Sequence, residues 1–156
     1  MSFWHFLQLN WPELLLLVRQ HIVLVFVAIL VAVIIGVPTG ILLTRHRALR
    51  GPVLGIANVM QTIPSLALFG FLIPLPFIGG IGARTALVAL VLYSLLPIIR
   101  NTITGIMSVE PSVREAAVAM GMTDGQILRQ VELPLAMGVI VTGIRVATVI
   151  AVGVTT

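Results

Sequence analysis

Residues 22–43 read IVLVFVAILVAVIIGVPTGILL, 22 positions without an ionisable side chain, and no other feature restricts the fold of this chain as severely. As a helix the stretch is about 33 Å long, enough to cross the roughly 30 Å hydrocarbon core of a bilayer. A cleaved leader has an apolar core of only about 7–15 residues behind a basic start, with small residues at its cleavage site, so the segment is read as a permanent crossing. The rest of the chain agrees with it: 59% of residues are hydrophobic, 9% are charged and the mean hydropathy is +1.18. Soluble domains run at about 45–50% apolar and about 25% charged. A length of 156 residues suits one all-α domain of about four or five crossings, because each takes about 20 residues plus a connection.

Further crossings are expected at about 53–77, 85–107 and 135–156, the third running past Pro97 with Arg100 snorkelling at its inner end. Gly79, Gly80 and Gly82 predict a tight turn before it. Ahead of the first crossing, Phe3, Trp4, Phe6 and Trp11 alternate with polar residues, as in a segment whose aromatics lie at headgroup level. Arg45, Arg47 and Arg50 crowd the first connection whereas the second offers only Arg84. Because cytoplasmic loops hold the excess of arginine, the first connection is inside and the amino terminus outside. The segment 100–132, with Arg100, Arg114 and Arg129, then falls in the cytoplasm.

Composition also excludes several chemistries. Cysteine is absent, which removes disulfides and thiolate metal sites. Lysine is absent as well, so a P-loop, whose lysine reaches the β- and γ-phosphates, cannot be built here. His5, His21 and His46 have no second ligand at helical spacing, and no metal site is expected. The net charge of +4 is carried by scattered arginines, which reads as membrane topology and not as a nucleic-acid surface.

A polar segment interrupts the apolar sequence at about 112–132. Ser112-Val113-Arg114-Glu115 has the form of a capping box, and Thr123-Asp124-Gly125-Gln126 repeats it. Gly121 lies between, where a left-handed residue would end the first helix and where a branched side chain would stand between the two helices. Val113, Ala116, Ala117 and Met120 form a stripe of small and apolar side chains on the first helix. Ile127, Leu128 and Val131 share one side of the second, which runs through Leu133-Pro134 into the last crossing. A helix-turn-helix reader of DNA has a similar outline. However, Arg114, Arg129, Glu115, Asp124 and Glu132 sum to −1, where phosphate contacts require clustered cations. The would-be recognition helix also continues into the membrane.

The pattern Glu115-Ala116-Ala117, three residues, Gly121, nine residues, Val131, one residue, Leu133-Pro134 resembles the EAA loop of ABC-importer permeases, with Val131 where isoleucine is usual. The stretch NVMQTIPSLALFGFLIPLPFIGGIGARTALVALVLYSLLPIIRNTITGI is similar to the branch of that family importing glycine betaine, carnitine and choline. The resemblance implies a type I (MetI-like) permease bundle, a multi-pass subunit of a bacterial or archaeal plasma membrane that forms half of a pathway and performs no chemistry. It implies that Glu115, Ala116, Ala117, Gly121, Leu133 and Pro134 couple the subunit to a separate ATPase holding ATP and magnesium. A second permease copy or paralogue and an extracytoplasmic substrate-binding protein are the other implied partners. Permeases of this kind continue through a Gly-rich turn into at least one more span, so the carboxy-terminal part of the family domain is expected to be missing. Importers of other small polar solutes, such as amino acids or sulfonates, and a membrane-tethered DNA-binding regulator are the competing readings.

Two polar features lie inside expected crossings. Gln61, Thr62 and Ser65 flank Pro64, whose ring removes a backbone donor, so the opened turn could line a substrate path. Alternatively these side chains satisfy the kink and pack against a neighbouring helix. Arg145 lies about 16 Å past Pro134 along a helix, and a central arginine costs roughly 2.5–3.5 kcal/mol to insert. It must therefore face protein or water, and pairing in assembly is expected of it.

Overall fold

The structure, a computed structural model, describes residues 3–76, 80 and 82–155, and the side chains of all of these except 3–9, 65, 66, 69 and 155. Every described element is helical: α1 (Phe3–Arg45), α2 (Arg47–Thr62), α3 (Ser65–Leu72), α4 (Ala83–Met107), α5 (Pro111–Ala119) and α6 (Asp124–Gln126). A π-helical turn (Ile127–Glu132) then leads into α7 (Leu133–Thr155). Among the described residues, three helices are long and apolar enough to span a bilayer, at Asn10–Arg45, Ala83–Met107 and Asp124–Val154.

α1 buries one narrow stripe, Val25, Ala28, Ala32, Gly36, Gly40 and Leu43, spaced three or four residues apart as a helix face requires. The small members of that stripe let α4 approach closely. A Cβ on Gly36 would stand 2.9 Å from Ile98 Cγ2, and one on Gly40 would stand 2.6 Å from Thr102 Cβ. α7 docks on a neighbouring face of α4 by the same device, since a Cβ on Gly143 would meet Asn101 Cβ at 2.5 Å and the Pro97 carbonyl at 2.9 Å, and it touches α1 as well. Small residues at the seam are what lipid-embedded helices need, because dispersion and close packing replace the hydrophobic drive there.

The packing partners fix the directions of the helices. Val25 and Ala28 lie beside Leu90, Ala32 beside Ile98, and Leu43 beside Ile99 and Ile103. α1 and α4 therefore run parallel. α7 runs against both, with Ala136 and Ile140 at Ile106, Ala147 at Ile98 and Ala151 at Leu90. Because α1 ends beside the end of α4, the chain must return along the bundle between Arg47 and Ala83. It does so through α2 and α3: Val53 and Leu54 pack near Ile99 and Ile103, whereas Leu68 and Leu72 pack near Ala89 and Tyr93.

This return corrects the expected second crossing. Residues 53–77 are not one helix; the helix begins at Arg47 and breaks at Ile63-Pro64. Ile63 is extended, with φ −73° and ψ 124°, because the residue before a proline is driven out of the α region by the pyrrolidine ring. The first crossing also differs, since α1 is continuous from Phe3, about 64 Å at 1.5 Å per residue, and its residues 10–21 are largely exposed. The side chains of Phe3, Trp4 and Phe6 and residues 79 and 81 of the predicted turn lie outside the described residues, while Gly80 has a positive φ of 115°; Trp11 is exposed.

Candidate coupling site

At the end of the bundle where α1 and α4 stop, the chain forms a hairpin. Its first helix does not start at Ser112 as the capping-box pattern suggests. Glu110 is the N-cap and Pro111 the first helical residue, a position where the missing N–H costs nothing and the fixed φ suits the helix. Gly121 ends that helix in the left-handed region, at φ +78°. The Gly121 N–H donates to the Val118 carbonyl at 2.9 Å and the Met122 N–H to the Ala117 carbonyl at 3.2 Å, the paired bonds of a Schellman stop. A Cβ at Gly121 would meet nothing within 4 Å. A β-carbon there would thus be strained by its backbone and not by the neighbouring helix.

After the turn, the Thr123 N–H donates to Gln126 Oε1 at 2.8 Å, satisfying one of the four orphan donors of a helix start. The second helix of the hairpin continues into the last crossing, as its sequence suggests. The chain passes from α6 through the π-turn into α7 as one helical run, Asp124–Val154. The Leu133 N–H reaches back to the Leu128 carbonyl, a five-residue step. Pro134 accounts for it: a proline inside a helix has no N–H to donate, and its ring would collide with the carbonyl four residues earlier. Widening the turn by one residue removes that conflict, as π-bulges do.

The π-turn rotates Glu132 into the protein, where it is 0% exposed, between Arg45 at the end of α1 and Arg114 on α5. Arg45 Nη2 donates to Glu132 Oε2 at 2.8 Å. Arg114 Nη2 lies 2.6 Å from Oε1 at an angle outside hydrogen-bond geometry, so this contact is an ion pair. Each carboxylate oxygen therefore faces its own arginine, as a buried charge requires. Both arginines keep about two-fifths of their side chains exposed. In the sequence Glu132 reads as one more charge in a polar loop, and the two arginines as markers of topology. The place of Glu132 directly before Leu133-Pro134 was the available signal.

The residues of the EAA pattern separate into two groups. Ala117 is buried at 1% and faces the π-turn, and Leu133 is half-buried. Glu115, Ala116, Gly121 and Pro134 are exposed. The expected stripe is likewise divided: Ala117 turns inward, while Val113, Ala116 and Met120 remain outside, with Met120 74% exposed. α5 thus presents an apolar outer face at one end of the bundle and is held from behind.

The polar residues near Pro64 have a different geometry. Gln61 Nε2 donates to the Tyr93 carbonyl at 3.0 Å. That carbonyl lies four residues before Pro97 and has lost its helical donor to the proline. In return the Tyr93 hydroxyl donates to the Ile63 carbonyl at the α2–α3 break. The carbonyl orphaned by Pro97 is thus satisfied from α2, and the carbonyl at the α2–α3 break is satisfied from α4. The Thr62 hydroxyl donates to the Val59 carbonyl at 2.8 Å; Thr62 and Pro64 are exposed, and the side chain of Ser65 lies outside the described residues. Arg145 is exposed on the side of α7 away from Gly143 and Ala147, beside Val146 and Val149.

Compared with known proteins, residues 28–156 match the family model described as "Binding-protein-dependent transport system inner membrane component". The glycine betaine/carnitine/choline transport system permease protein OpuCD of Bacillus subtilis is 51% identical over 136 residues, 87% of this chain and 58% of that protein. The osmoprotectant import permease protein OsmW of Salmonella typhimurium is 51% identical over 152 residues, 96% of this chain and 71% of that protein. Among solved structures, a chain of the inward-facing MetNI methionine ABC transporter superposes with a TM-score of 0.78 at 29% identity, covering 92% of this chain and 73% of that one. The chain spans under two thirds of the length of some of the curated relatives it matches, such as OpuCD.

Proposed function

Because the chain belongs to the family of binding-protein-dependent transport system inner membrane components, we propose that it is the permease subunit of an ATP-driven importer for a small osmoprotectant such as glycine betaine, carnitine or choline. Two copies, or this chain and a paralogue, together form the membrane pathway. An ATPase subunit binds ATP and magnesium, and an extracytoplasmic binding protein delivers the substrate. The observation that carries the reading is the outer face of α5: Val113, Ala116, Val118 and Met120 stand exposed at the end of the bundle that the arginines of the first connection mark as cytoplasmic. An apolar patch on a helix stopped at both ends is a surface for docking, and the ATPase is the partner it fits. Leu133 and Pro134 serve that surface by setting the π-turn behind it. The amino terminus is outside, and the α2–α3 pair makes the second of four crossings. The substrate path follows the break at Gln61, Thr62, Pro64 and Ser65.

The substrate class is supported by identity near 50% to permeases named for glycine betaine, carnitine and choline, against 29% for the methionine transporter chain. The test is uptake in a host lacking its own osmoprotectant importers and supplied with the complete transporter. Accumulation of labelled glycine betaine, carnitine or choline under hyperosmotic stress is the expected result. Accumulation of methionine or a sulfonate instead would overturn the substrate assignment and leave the coupling role standing.

A further inference from the structure

The hairpin is joined through the backbone to α4 on one side and α7 on the other, but to α1 only through side chains. We propose that the Arg45–Glu132–Arg114 cluster is a rigid strut that locks α5 to the cytoplasmic end of α1, so that motion imposed on the hairpin moves the first membrane helix with it. The inference rests on the coupling role proposed above and assigns Glu132 as the positioning residue of that coupling.

Three features make the cluster a strut and not a latch that opens in each cycle. Glu132 is fully enclosed while its carboxylate is divided between arginines from two elements. If α5 moved away from α1, one carboxylate oxygen would be left charged and unpaired in a dry site, a costly state. The π-turn also fixes where the carboxylate points, because its register is imposed by Pro134 and does not depend on the loop. Finally, α1 is seated on α4 through Gly36 and Gly40 at sub-contact Cβ distances, so a displacement at the Arg45 end is passed along a helix already locked to its neighbour. The exposed parts of the two arginine side chains stay in water, which keeps the cost of holding them small.

The chain has no cysteine, so cysteines for spin labels can be introduced at His46 and Ser112, both exposed and both outside the cluster, in a complete transporter whose other subunits have had their exposed cysteines replaced. The parent is expected to give one His46–Ser112 distance, the same without nucleotide and in the ATP-trapped state. Glu132→Gln is expected to retain the ATPase on purification, to broaden that distance, and to lower substrate imported per ATP hydrolysed by about 2- to 30-fold, the span of coupling energies carried by residues between two sites. Arg45→Gln, at a partly exposed position, should reproduce both effects even if Glu132→Gln fails to accumulate. The double variant should be no worse than the poorer single one, since one strut is lost once. A parent distance that changes between the two states, or variants that keep both the distance and the import per ATP, would overturn the proposal. A parent complex that binds no ATPase and imports nothing would instead overturn the coupling reading beneath it.

Discussion

Glycines at three positions in this chain answer to different constraints, and single substitutions separate them. Gly40 faces Thr102 at a distance no Cβ tolerates, so Gly40→Ala should lower the thermal stability of the purified transporter by an overpacking cost of about 1–3 kcal/mol. Gly138 has open space around it, and Gly138→Ala should be neutral or slightly stabilising, since alanine is the better helix former. Scanning fluorimetry of the two variants side by side checks the contrast; equal melting would refute the close approach of α1 to α4. Gly121 is constrained by φ alone, so Gly121→Ala should weaken the hairpin by about 1 kcal/mol and reduce uptake, with membrane levels unchanged by immunoblot. The stop at Gly121 was legible because glycine after a short amphipathic helix has a local meaning. Glu132 was not, because its burial depends on the π-register and on an arginine 87 residues away.

Among the elements, α2 and α3 carry the clearest departure from the sequence reading. Hydropathy over 53–77 is high enough for a crossing, yet Pro64 breaks the helix where Pro38 and Pro97 do not. The difference lies in the partners: Pro97 is buried and the carbonyl it orphans is taken up by Gln61, an arrangement that exists only once α2 lies against α4. Gln61→Leu should therefore destabilise the protein by about 1–3 kcal/mol, the cost of a buried carbonyl left unpaired. A change confined to substrate KM with unaltered melting would show that Gln61 acts on substrate instead. The direction of the return is testable as well. Cysteines at Ala48 and Asp124 should be shielded from an impermeant thiol reagent in intact cells, while one at Gly80 should react. Labelling of Ala48 or Asp124 from outside would reverse the topology.

In the whole molecule, α4 is the axis on which α1 and α7 both pack while also touching each other, and the hairpin hangs from the end that α1, α4 and α7 share. Much of this was legible: the charge-free runs locate the long helices, the arginines orient them, and the EAA spacing locates the hairpin. The break in the second crossing, the π-turn and the two-arginine cluster were not, because each depends on contacts between segments distant in sequence. The outward faces of α1 and α7 remain strongly apolar, with Phe26 66%, Ile34 63% and Val149 68% exposed, as a surface facing lipid requires. Whether α5 is the surface through which an ATPase drives this bundle is decided by a photo-crosslinking amino acid in place of Met120 in the complete transporter, illuminated in native membranes. An adduct with the ATP-binding subunit, detected by mass, is expected. A working importer whose Met120 position crosslinks only to lipid, to nucleic acid or to nothing would refute the coupling role of α5.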